Sequence, residues 1–430
     1  MVRSRTPTQP PALRGQESRR VARIARALAP SAAAVHPDPA AEPSRVHAAG
    51  AAGAAGAAGA AAAAAAAAPE HTDSTPEASP IPSIDVAPLF GDDVRAKMRT
   101  ARQMAEACEE IGFFSIHNHG VPPEVVEAAW KNTQGFFSEP EEAKDLDEIR
   151  MWPGDPYGYV PLGGEKLSAG KQHELGTEDD EVPGDLNESF SIGPMTEEFG
   201  APPTKWPASP AGFRPAWAAY YTAMELLSRT LLRGFALGLD LPEDWFVDKV
   251  DRHRCALRTL NYPELAPDNP ALSRPGQLRA SAHTDYGTMT LLLQGVGGEA
   301  HAGNGLQVMA GDGRSGDWRE VPYTPGSFVV NLGDLMSRWT NTRWVSTLHR
   351  VVMPSEDRPG SLARRQSMAF FHNINPEQVV ECIPSCASAQ NPPKFDTILA
   401  QDFLMDKHLA ATAGGPDPLG RDQEGGRNIK

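Results

Sequence analysis

The sequence is short of cysteine: 430 residues hold four, Cys108, Cys255, Cys382 and Cys386. Sparse, scattered thiols exclude a disulfide framework and fit a reducing interior. Cys382 and Cys386 have three residues between them and no second pair, which is not a zinc-ribbon pattern. Positive charge is also scarce. Forty Lys and Arg against 55 Asp and Glu leave a formal net charge of −15, which argues against nucleic acid or an anionic membrane as a general partner. No run of large apolar residues approaches membrane-spanning length. There is no H-E-x-x-H helix, so the common zinc-hydrolase arrangement is missing.

What positive charge there is gathers at the start. Residues 1–45 carry eight Arg, no Lys and three acids. Across Ser18–Leu28, Val21, Ile24, Ala25 and Leu28 share one helical face, and Arg19, Arg20, Arg23 and Arg26 the other. Ala48–Pro69 follows as nearly pure Ala with interspersed Gly, a segment with nothing to bury. Residues 1–80 therefore read as a disordered, low-complexity N-terminus. Its Arg-rich, acid-poor opening predicts a transit peptide and an organelle location, mitochondrion or plastid; a basic tail on a cytoplasmic protein is the alternative.

Folded structure is expected from Ile81. Residues 81–240 alternate helices and strands: a strand at Ile84–Val86, a helix over Asp92–Ile111 ended by Gly112, a strand over Phe113–Asn118, and a long helix over Pro215–Leu239. His117 and His119 share a face but lack a carboxylate partner and read as structural. Met151–Gly200 is rich in Gly and Pro, and its aromatics Tyr157, Tyr159 and Phe190, with Phe370, are candidates to line a pocket. Residues 241–410 change to short strands, Ala256–Tyr262, Met289–Gln294, Leu306–Met309, Ser327–Asn331, Leu348–Met353 and Ser367–His372, which suggests a sandwich or barrel. A terminal helix is expected over Lys394–Leu409, and residues 411–430 as a disordered tail.

The chemistry gathers in that second region. His283-Thr284-Asp285 places an imidazole and a carboxylate two residues apart, and residues so spaced on a strand point the same way. Leu348-His349-Arg350-Val351 offers a second imidazole from a distant strand. Two imidazoles and one carboxylate can occupy one face of a six-coordinate metal and leave three positions open, the facial triad of non-haem Fe(II) oxygenases. Arg365-Gln366-Ser367 then aims a guanidinium fork and a hydroxyl in one direction, a receptor for a carboxylate. Tyr262, in Asn261-Tyr262-Pro263, offers a phenol hydrogen bond to it.

These motifs, in this order, resemble the 2-oxoglutarate- and Fe(II)-dependent dioxygenase superfamily in its isopenicillin N synthase-like branch. Cys108–Pro122 and Pro325-Gly326-Ser327…Asn331-Leu332-Gly333-Asp334 extend the resemblance over roughly residues 80–410. It implies a mainly β fold with flanking helices around a cupin-like jelly roll, the double-stranded β-helix. It implies that His283, Asp285 and His349 bind Fe(II), and that Arg365 and Ser367, assisted by Tyr262, hold the distal carboxylate of the co-substrate 2-oxoglutarate. With O₂, such an enzyme hydroxylates or desaturates a small-molecule substrate and releases succinate and CO₂. Leu260 departs from the Asn that plant members often carry two residues before the Tyr, which puts one auxiliary contact in question. The Arg/Ser pair shows a carboxylate site without saying which carboxylate, so an iron oxidase of the isopenicillin N synthase type stays open, as does an inactive scaffold. A monomer or weak oligomer is expected.

Overall fold

A computed structural model describes residues 81–152, 156–165, 167, 183–195, 202–297, 305–310, 317–354 and 362–413. The expected transit peptide, the Ala-rich spacer and residues 414–430 lie outside the described residues. In chain order the first half holds β1 (Ser83–Asp85), α1 (Val94–Glu110), β2 (Phe113–His117), α2 (Pro123–Phe137), α3 (Glu141–Lys144), β3 (Gly158–Val160), β4 (Glu188–Ile192) and α4 (Phe213–Gly238). The second half holds β5 (Ala256–Tyr262), β6 (Ala280–His283), β7 (Met289–Leu293), β8 (Leu306–Met309), β9 (Trp318–Glu320), β10 (Phe328–Leu332), α5 (Asp334–Trp339), β11 (His349–Val351), β12 (Arg365–His372), β13 (Val379–Val380), β14 (Ile398–Leu399) and α6 (Ala400–Ala413).

Eight strands form one sheet in the order β1-β2-β10-β7-β12-β5-β4-β3, and four form a second, β6-β11-β8-β9. From β5 to β8, and again from β10 to β12, consecutive strands alternate between the two sheets. That alternation is the signature of a double-stranded β-helix, the jelly roll the motifs imply. The sheets pack face to face through Phe113, Tyr262 and Val329 on one side and Ala280, Leu306, Val308 and Val351 on the other. The outer face of the large sheet carries Leu257, Leu291, Leu293, Met368 and Phe370 and is covered by α4, whose Trp217, Tyr221, Leu227 and Leu231 belong to the same core. Strand alternation thus sorts the large sheet into two faces, one against helices and one toward the smaller sheet.

Local chemistry sets the framework. The Asp93 carboxylate accepts from Arg95 N and Ala96 N at 2.9 and 3.1 Å and starts α1. Gly112 ends the helix region at φ 67°, and a Cβ there would meet Val345 O at 2.1 Å, so both conformation and space require glycine. His117 and His119 are structural as expected: His117 Nδ1 meets Ser83 Oγ at 3.2 Å, and His119 Nε2 meets Gly326 O at 3.1 Å. Among the described residues no helix is long and apolar enough to cross a membrane.

The C-terminal region corrects the sequence reading. The last helix begins at Ala400 rather than Lys394 and runs to Ala413, three residues into the expected tail. Ile398 and Leu399 pair instead with Val380 and Val379, and this tertiary pairing outweighs the local helical spacing.

Candidate active site between the two sheets

His283 closes β6 and His349 opens β11; the two are register partners in the small sheet. Asp285 lies two residues past β6, where the chain turns through Tyr286-Gly287 into β7. One ligand atom from each of the three lies within 4.8 Å of the others. Asp285 Oδ1 stands 3.8 Å from His283 Nε2 and 3.7 Å from His349 Nε2. The sequence-predicted triad therefore converges on one point.

The surroundings fix what each side chain presents. His283 Nδ1 meets Ser281 O at 2.7 Å, and His349 Nδ1 meets Thr347 O at 3.1 Å. A carbonyl only accepts, so both Nδ1 atoms carry the proton and both Nε2 lone pairs face Asp285. Asp285 Oδ2 accepts from Thr290 Oγ1 at 2.5 Å and Asn331 Nδ2 at 2.6 Å, which leaves Oδ1 toward the imidazoles. Two neutral imidazole nitrogens and one carboxylate oxygen suit a divalent transition ion such as Fe(II) and leave part of its coordination sphere to other ligands.

The loop that carries Asp285 is tightly held. Asp334 N donates to Asp285 O at 2.8 Å, and Gly333 N donates to Thr288 O at 3.1 Å. A Cβ on Gly333 would meet Gly287 O at 2.3 Å, so this close crossing needs a glycine. Behind His283, Asp185 accepts from Ser281 N at 2.8 Å and from the Ser281 hydroxyl. Burial pushes the Asp185 carboxyl up to about 6.

The expected carboxylate clamp lies on the inner face of the large sheet. Arg365 and Tyr262 are register partners across β12 and β5, and Ser367 is the partner of Leu260. The Arg365 guanidinium carbon stands 4.7 Å from the Tyr262 ring centroid. Arg365, Ser367 and Tyr262 are all buried. Burial lowers the Arg365 pKa from its ordinary value, opposed by the Tyr262 phenol. Leu260 packs in the apolar cluster between the sheets, so that position supplies no polar contact. Residues 355–361 of the segment linking His349 to Arg365 lie outside the described residues.

Not every expected site residue is there. Tyr159, Phe190 and Phe370 sit in the helix-side core. Phe190 packs on Phe136, Phe213 and Trp217, and Phe370 on Tyr221. Strand parity decides this: Phe370 is odd-spaced from Arg365, so the two point to opposite faces. Tyr157 is buried against Gly193. The inner face instead presents Arg258, Leu292, Ala369 and Phe371. Phe371 is the one residue of β12 that is not fully buried. Two partners of Asp285 carry no role in the motifs: Thr290 belongs to none of them, and Asn331 stands in the stretch Asn331-Leu332-Gly333-Asp334 without an assigned function. Thr290 left a trace, as the single hydroxyl in the apolar run Met289-Thr290-Leu291-Leu292-Leu293.

Two facing sheets, a His-Asp-His cluster able to hold a metal and an arginine deep on the inner wall define a jelly-roll non-haem iron oxygenase. Residues 81–209 match the family model described as the non-haem dioxygenase in morphine synthesis N-terminal domain, and residues 255–374 match that of the 2OG-Fe(II) oxygenase superfamily. The chain is 33% identical over 344 residues to the 2-oxoglutarate-Fe(II) type oxidoreductase hxnY of Emericella nidulans, covering 76% of this chain and 89% of that protein. It is 31% identical over 350 residues to the 2-oxoglutarate-dependent dioxygenase citB of Monascus ruber, covering 78% and 96%. A full-length Neurospora crassa protein, crystallised in complex with alpha-KG and thymine, superposes with a TM-score of 0.66 at 31% identity, covering 77% of this chain and 97% of that one.

The chain belongs to the 2OG-Fe(II) oxygenase superfamily, of the isopenicillin N synthase-like type. It is an oxidoreductase, a dioxygenase that works with Fe(II), 2-oxoglutarate and O₂ on a small molecule.

Proposed function

We propose that His283, Asp285 and His349 hold the Fe(II), and that Arg365 and Ser367, with Tyr262, hold the distal carboxylate of 2-oxoglutarate. The observation that carries this reading is the convergence of three ligand atoms within 4.8 Å in the same inter-sheet space that contains Arg365. When bound, the iron couples the oxidative decarboxylation of 2-oxoglutarate by O₂ to oxidation of a substrate C–H bond.

The chain's own residues supply binding, orientation and dryness. The carbonyls of Ser281 and Thr347 hold both imidazoles as Nε2 donors to the metal, and Thr290 and Asn331 hold Asp285 in one rotamer. Arg365 offers a planar fork to the far end of the co-substrate and so fixes the direction in which its keto acid end points. Phe113, whose ring meets His349 edge-on at 5.3 Å, joins Leu292, Val329, Ala369 and Phe371 in excluding water around the reacting centre. Arg258 shares the inner face of β5 and is held by Ser189 Oγ at 2.7 Å and by the Glu165 carboxylate, so a polar group on the substrate meets a charged edge. The thymine in the Neurospora crassa complex supports a substrate of that size and makes it the first compound to try.

The test is an anaerobic titration of purified protein with Fe(II) and then 2-oxoglutarate, followed by the weak visible charge-transfer band of the chelate. His349→Ala is expected to abolish the band, and Arg365→Ala to demand at least about 100-fold more 2-oxoglutarate, the loss of one buried charge-assisted pair. Tight Fe(II) binding without a band, and O₂ uptake without succinate, would point instead to an oxidase that binds its substrate directly at Arg365.

The proposal extends to location. The Arg-rich amphipathic segment Ser18–Leu28 and the Ala-rich spacer after it support import into an organelle. A fluorescent fusion that stays cytoplasmic with residues 1–80 attached would reject this. The protein acts as a monomer or weak oligomer, which light scattering across a concentration series tests.

A further inference from the structure

Arg279 is a buried cation that neither the metal face nor the Arg365/Ser367 pair uses. It stands just before β6, four residues ahead of His283, and is 2% exposed. Its Nη2 donates to two carbonyls, Pro263 O at 3.2 Å and Ala363 O at 3.3 Å. Those carbonyls lie one residue past Tyr262 and two before Arg365. Its guanidinium carbon is 5.9 Å from the centroid of the Tyr262 ring, the same ring on which Arg365 lies at 4.7 Å. Its Nε is buried without a hydrogen-bond partner, and no carboxylate among the described residues pairs with it. Burial, and then the Arg365 charge, push its pKa down to about 10, so it is charged at neutral pH.

A desolvated guanidinium with no counter-ion, held next to a second one, is costly. Two carbonyl contacts offset part of that cost and supply no negative charge. The arrangement makes physical sense where the counter-ion arrives with a ligand, and the ligand expected at Tyr262 and Arg365 ends in a carboxylate.

We infer that Arg279 is a positioning residue for the co-substrate: it adds a second positive charge at the distal carboxylate bound by Arg365 and holds the Tyr262 ring against that site. The inference rests on the 2-oxoglutarate reading proposed above. It makes the inner end of the site selective for a dicarboxylic 2-oxo acid over a monocarboxylic one beyond what a single arginine gives.

The test uses full-length Fe(II)-loaded protein under anaerobic conditions and two ligands, 2-oxoglutarate and 2-oxopentanoate. The second keeps the chelating keto acid and lacks the distal carboxylate. Arg279→Met is expected to raise the Kd of 2-oxoglutarate by about tenfold or more. The Kd values of 2-oxopentanoate and of Fe(II) should stay within about twofold. Arg279→Lys keeps the charge but cannot bridge both carbonyls, so it should bind 2-oxoglutarate within about threefold of wild type even if its Tm falls. Equal weakening of both keto acids, or an unchanged 2-oxoglutarate Kd with a lowered Tm, would make Arg279 a strut between β5 and β12 and overturn the inference. A wild-type protein that binds Fe(II) but shows no band with either keto acid fails one level lower, at the proposed co-substrate site.

Discussion

His283 and His349 face each other across β6 and β11 with ring centroids 4.3 Å apart and planes tilted by 54°. Both Nδ1 protons point away to carbonyls, so the approach brings two lone pairs together beside a carboxylate. That is a favourable arrangement only when a cation completes it. Removing one imidazole of this pair should therefore remove the ion. His349→Ala is expected to weaken Fe(II) binding by at least about 100-fold in competition with a chelator, while the far-ultraviolet circular dichroism of the protein stays that of the wild type.

Asn331 acts one step further out. Its amide donates to the Asp285 oxygen that does not face the imidazoles, so Asn331→Ala frees that carboxylate to rotate. Fe(II) affinity is expected to fall roughly 10–100-fold, the usual effect of losing a partner to a metal ligand. The Kd of 2-oxoglutarate for protein saturated with Fe(II) should change little. A variant with wild-type Fe(II) affinity would show that Thr290 alone suffices to hold Asp285.

Phe190 tests the sorting of the two faces. It is fully buried against Phe136, Phe213 and Trp217. Phe190→Ala is expected to cost roughly 3–5 kcal/mol of stability, read from denaturant midpoints. In protein that remains folded, the KM values for substrate and co-substrate should stay within about twofold. A selective rise in substrate KM at unchanged stability would return Phe190 to the pocket wall.

Asp185 gives the fold a pH dependence of definite sign. Burial raises its carboxyl from 3.8 to about 6, so folding favours the neutral form. The stabilisation is complete below pH 3.8 and is lost as the pH rises through about 6, with a size on the order of 3 kcal/mol. Asp185→Asn is neutral throughout. Urea midpoints for the two proteins at about pH 4.5 and about pH 7.5 should therefore shift in favour of the variant at the higher pH; a shift in the other direction would refute the assignment.

Much of the site was legible because its chemistry is written in short, rigid spacings. His283-Thr284-Asp285, His349 and Arg365-Gln366-Ser367 name their roles by residue type, and β5 and β8 match their expected bounds to the residue. The aromatics were not legible in the same way. Phe370 could have been sorted by its odd spacing from Arg365 along β12, but Tyr159 and Phe190 could not: their faces depend on how β3 and β4 register against β5, and no local spacing encodes that. Asp185 and Arg279 were invisible for a related reason. Each acts through partners far away in the chain, Asp185 on Ser281 and Arg279 beside Arg365, and neither sits in a recognisable pattern. The expected helix at Lys394 failed because Ile398 had a strand partner the local sequence does not name.

The alternation of strands between two sheets also bears on how the protein is made. β6 ends at His283 and β11 begins at His349, so the two imidazoles are translated far apart in time. At about 5–20 residues per second the second follows the first by roughly 3–13 s. During that interval the nascent chain owns one imidazole and one carboxylate of the metal face, and β12, which carries Arg365, has not yet been synthesised. Three converging ligands exist only once β11 has emerged and paired with β6. A ribosome-bound chain short of that point offers iron two ligands at most, so loading belongs to the late or finished polypeptide.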